Sequence, residues 1–326
     1  MTRGYVLLCL IFLLRLPLWG EELRYQIVYT AKIGKFEHLF LLNPDGTVKQ
    51  LTSGNFIARF PSWSPDGKMI AFECSKDGGG DIFVINSDGT GMRNITRTPN
   101  EYEYYPAWSP DGREIAFECK WRLWAIDITT GRRRPISPKP KVINGMPEFQ
   151  DCKARWSPDG RWITFLSILG TNFEVFMCDR NGGNRINLTE HPCVDDYPAF
   201  TPDGRRIVFS SRRAKWRYSL YLLDVETREI EKLNIPDPEL LAPWYPDVSP
   251  DGRKIAFSSP RGLTGPSKIY VMDFPLGRNL RRLTDTGLGI SERCPRWCPA
   301  PFRREDVTSS DKMPITWGEV KKGASK

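Results

Sequence analysis

Apolar and polar positions alternate along this chain in a line that is written again and again. A large–small–large triplet stands at six places, as IVY at 27, IAF at 70, IAF at 115, ITF at 163, IVF at 207 and IAF at 255. All three residues are buriable, which predicts a strand covered on both faces with one face kept thin. After each triplet comes a second apolar run: LFLL at 39, IFVI at 82, LWAI at 123, VFMC at 175, LYLL at 220 and IYVM at 269. Each run passes through Asn or Asp and a polar turn into a short segment of the type VKQLT, MRNIT, RRPIS, RINLT, IEKLN or LRRLT, which predicts a further strand. Five triplets are preceded by a strand and a Ser-Pro-Asp-Gly-like turn, as in YPAWSPDGREIAF at 105. There Pro presets φ, Asp bonds the local backbone and Gly takes the positive φ that lets the chain reverse.

The turns begin at 64, 109, 157, 201 and 249, separations of 45, 48, 44 and 48 residues. A four-stranded propeller blade repeats at about 40 to 45 residues. With the strands of each unit named a to d, six copies of b, c and d predict an all-β fold, a six-bladed β-propeller of four-stranded antiparallel blades. The first unit begins at strand b, Tyr25 to Thr30, and a broken sixth line, CPRWCPAP at 294, has no strand b after it. That C-terminal segment is expected to supply the missing strand a of the N-terminal blade, closing the ring and removing its end faces.

Composition refines this picture at the ends. The chain of 326 residues is longer than a usual single-core domain of about 100 to 200 residues. A repeat that spreads its core over many units accounts for the excess. The opening has Arg3, a ten-residue apolar run from Tyr5 to Leu14, Pro17 and Gly20, the plan of a secretory signal peptide and about half the length of a membrane span. The expected organisation is therefore a signal peptide over 1–20, a propeller over 21–300 and a flexible tail over 301–326. Without Arg3 and Arg15 the net charge of +8 falls to +6, with Lys and Arg scattered through turns, so no nucleic-acid partner and no stable membrane span are expected. Seven cysteines remain, with no CxxC, which gives no support to a zinc ribbon.

The repeated YPAWSPDGREIAF, the IYVMD-type strand and the LT endings resemble the TolB-like, WD-repeat-like six-bladed β-propellers of bacterial envelopes, over about Tyr25 to Pro299. The likeness lacks the α/β domain that TolB carries before its propeller. The resemblance implies a periplasmic or secreted protein and, as for TolB and peptidoglycan-associated lipoprotein, docking of an envelope protein on the propeller. It does not by itself settle function, because propellers host many unrelated ones.

In such a blade the a–b and c–d turns share one rim, while the b–c loops and d–a connections share the other, and sequence variation lies on the second. The d–a connections there present Arg59, Glu103, Tyr104, Asp151, Asp195, Asp196, Trp244, Glu292 and Arg293 just before strand a, where they are expected to ring the channel mouth. Such a mouth would grip a peptide, or a hard cation such as Ca²⁺ that wants oxygen ligands; the competing reading makes each carboxylate an acceptor for loop backbone. Arg213 and Trp216, in the loop SRRAKWRYS, have the composition of an interface anchor. Cys152 and Cys193 sit in successive d–a connections and would pair if those loops lean together. No GxSxG elbow is present and the two histidines, His38 and His191, have no evident nucleophile to serve. The reading is an exported monomer that binds an envelope protein or peptide without catalysis, with no cofactor. The rival is a lyase or glycosidase using the mouth carboxylates.

Overall fold

The thin face of each triplet strand is where one sheet lies on the next. The computed structural model describes residues 23–98, 101–214, 217–285 and 289–301. In it every triplet lies in the second strand of a four-stranded antiparallel sheet, and six such sheets form the ring. Blade 2 runs outward as Ala58–Trp63, Met69–Cys74, Asp81–Asn86 and Arg93–Asn94. The innermost strands of blades 3 to 6 are Glu103–Trp108, Gln150–Trp156, Asp195–Phe200 and Trp244–Val248. Blade 1 takes its innermost strand, Glu292–Trp297, from the C-terminal part of the chain and follows it with Ile27–Ile33, Phe36–Leu42 and Val48–Gln50. Ile27 stands opposite Trp297 and Val28 opposite Arg296, so the ring closes within one sheet.

Six apolar clusters hold the ring, one at each blade interface. Ala71 with Ile82 and Val84 of blade 2 meets Ile115 and Phe117 of blade 3. Ala256 with Ile269 and Val271 of blade 6 meets Ile27, Tyr29 and Phe40 of blade 1. The small central residue of one triplet thus receives the two large residues of the next, which lets twisted sheets approach closely around a circle. Cys74, Cys119 and Cys178 are packed into these interfaces as free thiols, and Cys152 and Cys193 also stay unpaired.

Local hydrogen bonds explain the recurring polar residues. In the turn after Trp63, the Ser64 hydroxyl donates to Asp66 at 2.6 Å and accepts the Met69 N–H at 2.9 Å, while Gly67 sits at φ 71°. The Thr or Ser of the LT-type endings caps the start of strand c, as where the Leu39 N–H donates to Thr52 and the Leu123 N–H to Ser137. His38, within the strand Phe36–Leu42, is buried beside Thr52, and the His191 ring accepts the Cys193 N–H at 3.1 Å within its own loop. Among the described residues no helix is long and apolar enough to cross a membrane. The predicted signal peptide, the tail beyond Pro301 and Trp216 lie outside the described residues.

Candidate functional site

Each innermost strand carries the same irregularity near its start. Phe60, Tyr105, Lys153, Tyr197, Tyr245 and Cys294 all have φ between 53° and 56°, the left-handed region that costs a residue with a side chain about 1 kcal/mol. The ladder slips at the same points, so that in blade 2 Arg59 pairs with Glu73 and Ser62 with Ala71, and two residues oppose one. The same bulge stands in the other five innermost strands. Bulges re-aim the side chains that follow them, and here they decide what faces the channel.

The carboxylates expected at the channel mouth do not face it. Glu103, Asp151, Asp195 and Glu292 stand before the bulge, have no exposed surface and turn between blades; Ala58, at the matching place in blade 2, is part of the apolar cluster between blades 1 and 2. Each carboxylate holds its own cation. Glu103 meets Arg133 at 2.9 Å and accepts the Thr98 hydroxyl at 2.6 Å. Asp151 accepts both terminal nitrogens of Arg185, at 2.5 and 2.8 Å, and the Ser167 hydroxyl at 2.8 Å. Asp195 accepts Arg213 at 2.5 and 3.2 Å, and Glu292 meets Lys268 at 3.5 Å and the Thr284 hydroxyl. Arg213, expected as a contact residue, is thereby spent inside blade 5. The expectation of a mouth that grips a peptide or Ca²⁺ with these four groups is corrected: a buried charge needs a close partner, and the partners are built into the blades.

The side chains that meet across the channel at this rim are the bulge residues themselves. Phe60 packs on Tyr105 with ring centroids 4.2 Å apart and on Tyr245 at 6.3 Å. Tyr245 packs on Tyr197 at 4.0 Å, their hydroxyls bonded at 3.1 Å. The Lys153 ammonium lies 3.9 Å from the Tyr197 ring and 5.6 Å from that of Tyr105, completing the circle through cation–π contacts. A void of about 20 Å³ remains, room for about one water molecule. This aromatic collar, which sequence reasoning missed, was legible as the aromatic before Pro in FPSW, YPAW, YPAF and YPDV. Burial pushes the Tyr197 hydroxyl up to about 12 and raises Tyr105 and Tyr245 further, so the collar phenols stay neutral.

Around the collar stand the remaining predicted residues. Asp196 holds Lys153 at 2.8 and 2.9 Å. Arg59 bonds Glu73 at 2.8 Å and lies 3.6 Å from Glu37. Tyr104 stacks on Tyr102 at 6.3 Å, Trp244 meets Tyr218 edge-on at 5.6 Å, and Arg293 is exposed. Glu118, opposite Tyr104 in the ladder, has no hydrogen-bond partner for its carboxylate among the described residues, and burial pushes it up to about 7 against the pull of Lys153. Glu73 is likewise pushed up to about 7, by burial that outweighs Arg59.

The exposed apolar surface of this rim lies outside the collar. Nine large apolar side chains are exposed among the described residues, and seven of them, Tyr102, Trp121, Val142, Ile143, Met146, Leu169 and Leu263, are in b–c loops or d–a connections. Three sit on a two-stranded hairpin between blades 3 and 4, Val142–Ile143 with Met146–Pro147, at 61%, 57% and 67% exposure for Val142, Ile143 and Met146. Its turn, Asn144-Gly145, has φ of 54° and 80°, the two-residue hairpin turn that Asn-Gly favours. That dipeptide between apolar residues was the sequence signal for it. Exposed Lys139 and Lys141 stand beside the hairpin in the chain.

Glu101, Glu103 and Cys119 bring three potential ligand atoms within 4.8 Å. Lys120 already lies 2.5 Å from Glu101 and Arg133 2.9 Å from Glu103, and burial pushes the Cys119 thiol up to about 12. Two cations and a thiol that keeps its proton make this an ion-pair cluster rather than a metal centre.

Comparison with known proteins agrees with the geometry. Residues 105–235 match the family model described as the TolB β-propeller domain. A dipeptidyl-peptidase 5 of Porphyromonas endodontalis is 26% identical over 242 residues, 57% of this chain and 35% of the relative, so the chain spans about a third of that protein's length. The Tol-Pal system protein TolB of Francisella tularensis subsp. mediasiatica is 26% identical over 81 residues, 24% of this chain and 19% of that protein. The crystal structure of TolB from Acinetobacter baumannii superposes with a TM-score of 0.69 at 21% identity, over 84% of this chain and 66% of that one, which speaks to the fold.

Proposed function

We propose that this chain, which is a TolB-like six-bladed β-propeller, is an exported, periplasmic, non-catalytic module that captures an envelope protein or peptide on its irregular rim. The observation that carries this reading is that seven of the nine exposed large apolar side chains among the described residues stand on this rim, three of them on the hairpin at Val142 to Pro147, with exposed Lys139 and Lys141 beside it in the chain. Exposed apolar groups gathered on one face of a soluble domain mark a surface that another molecule covers, and the lysines suit a partner with acidic residues around an apolar centre. The signal-like opening and the resemblance to TolB support a partner in the envelope.

The test is a pull-down from envelope extract with the wild type and with an Ile143→Asp, Met146→Asp variant. One partner recovered by the wild type and lost by the variant, at an unchanged melting temperature, supports the reading. Capture indifferent to both substitutions refutes it.

A second reading, a carbohydrate-active enzyme, is favoured by one observation: Glu73 and Glu118 both hold their protons to about pH 7 beside the collar, in the range of a general acid. Turnover in a polysaccharide screen that disappears in Glu118→Gln would put this reading ahead of the first.

A further inference from the structure

Beyond the aromatic collar, strand alternation puts a second ring of side chains into the channel. Two residues after each bulge position stand Ser62, Ala107, Arg155, Ala199, Asp247 and Arg296, one from each blade. Three blades offer small groups and three offer charges. Counted around the ring, Arg155 of blade 4 and Arg296 of blade 1 are three blades apart and approach from opposite walls, while Asp247 of blade 6 adjoins Arg296. Together with Ser62 they line a chamber of about 260 Å³. Its walls carry Trp63, Trp108, Trp156 and Trp297, and prolines of the Ser-Pro-Asp-Gly turns border it at the regular rim. The collar closes the channel on the other side, so a ligand enters from the turn rim.

One carboxylate does not satisfy two guanidiniums. Asp247 accepts the Trp297 N–H at 2.8 Å and lies 3.8 Å from Arg296. Arg296, 9% exposed, donates from Nη1 to the Pro295 carbonyl at 2.9 Å, but its buried Nε has no partner. Among the described residues the Arg155 side chain has no hydrogen-bond partner, and burial lowers its pKa against the fields of Asp247 and Cys294. The buried Trp108 Nε1 is also without an acceptor. Each guanidinium carries five N–H donors, and donors removed from water are costly until an acceptor meets them. Burial pushes the Asp247 carboxyl up to about 7, against the pull of Arg155 and the Trp297 N–H, so two guanidiniums face a single carboxylate that is at most partly ionised, and the chamber has at least one positive charge in surplus among four indoles. That combination fits a singly charged anion with an apolar body better than a phosphate, which would bring a second negative charge into an apolar wall.

We propose that the chamber binds a carboxylate carried on an apolar or aromatic body, its oxygens between Arg155 and Arg296 and its body against the indoles. The carboxylate comes either from a small organic acid or from the C terminus of a peptide. This site lies on the opposite rim from the surface proposed for protein capture and stands independently of it.

The test uses the wild-type protein, with calorimetry and the fluorescence of the four lining tryptophans as readouts, and four probes. These are phenylacetate, phenylacetamide, a short peptide ending in phenylalanine with a free carboxyl group, and the same peptide as its C-terminal amide. The expected result is saturable binding of one or both carboxylate probes and none of their amides. Tighter binding of the free-carboxyl peptide identifies a chain terminus as the source; binding of phenylacetate alone identifies a small acid. Arg155→Met is expected to weaken binding by about ten- to a hundredfold, with the melting temperature retained because the Arg155 side chain has no hydrogen-bond partner among the described residues. The proposal is overturned if acids and amides bind alike, if no probe saturates below about 10 mM, or if Arg155→Met binds as well as the wild type. Should that variant fail to fold, the acid-against-amide comparison on the wild type decides alone.

Discussion

Asp151 offers the sharpest test of whether the pre-bulge carboxylates are architecture. It has no exposed surface, and Arg185, which grips it with two nitrogens, lies 4.9, 4.8 and 4.7 Å from the rings of Phe149, Phe165 and Phe176. Asp151→Asn leaves that guanidinium among aromatic rings without its counter-charge, and Arg185→Met leaves a carboxylate with only Ser167 for company. Removing one member of a buried pair costs about 3 to 5 kcal/mol. For a protein of this size each kcal/mol moves the melting temperature by about 2 to 4 °C, so either single variant should melt roughly 10 °C lower. Replacing both groups with apolar ones, as in Asp151→Leu with Arg185→Met, removes the unpaired charge and should return stability to within about 1 kcal/mol of the wild type. The assay is urea denaturation followed by circular dichroism on all four proteins. The reasoning fails if Asp151→Asn is neutral or stabilising, as for a carboxylate kept for a ligand, or if the double variant loses the sum of the singles.

Two further outcomes follow from the same geometry. Glu118 keeps its proton up to about 7 in the folded protein, while in an unfolded chain a Glu loses it near pH 4.3. Because the folded state binds the extra proton, this group removes stability as pH rises from about 4 to 7, and the loss is complete above that. Glu118→Gln should therefore match the wild type near pH 4 and exceed it at pH 8 by about 4 kcal/mol at most, measured as melting temperature against pH; an unchanged slope between pH 4 and 7 counts against it. At the closure, Trp297 is buried and its indole donates to the Asp247 carbonyl at 3.0 Å. Trp297→Ala should cost about 3 to 5 kcal/mol and expose the amides of Ile27–Ile33 to faster hydrogen exchange before those of blade 4. Equal exchange in both blades would deny that the C-terminal strand holds the N-terminal one.

The candidate site was less legible than the fold, for a reason visible in particular residues. Glu103, Asp151, Asp195 and Glu292 were found by position, as carboxylates at the start of strand a, and a strand without a bulge would have supported the assignment. The bulge at Tyr105 and its equivalents gives the channel to the residue two positions after the carboxylate, and the cation partners come from distant places: Arg133 from an outer strand, Arg185 from just before one, Lys268 from a neighbouring blade. The exposed hairpin at Val142 lies in a connection that repeat spacing alone treats as an insertion. Arg155, Asp247 and Arg296 stand where other copies of the line have Ser or Ala, a departure that carries meaning only once the ring places them around one chamber.

What the sequence by itself determined is the repeat and everything that follows from its period. Six large–small–large triplets, their turn residues and the orphan line at 294 specify six blades and a shared closing sheet, because burial on two faces and turn chemistry are local requirements written in adjacent residues. Only the tertiary structure decided which side chains face the channel, which charges are consumed within the blades and which apolar groups are left on the rim. Those outcomes depend on a left-handed residue in each innermost strand and on distances between segments far apart in the chain, and neither is encoded by any short stretch alone.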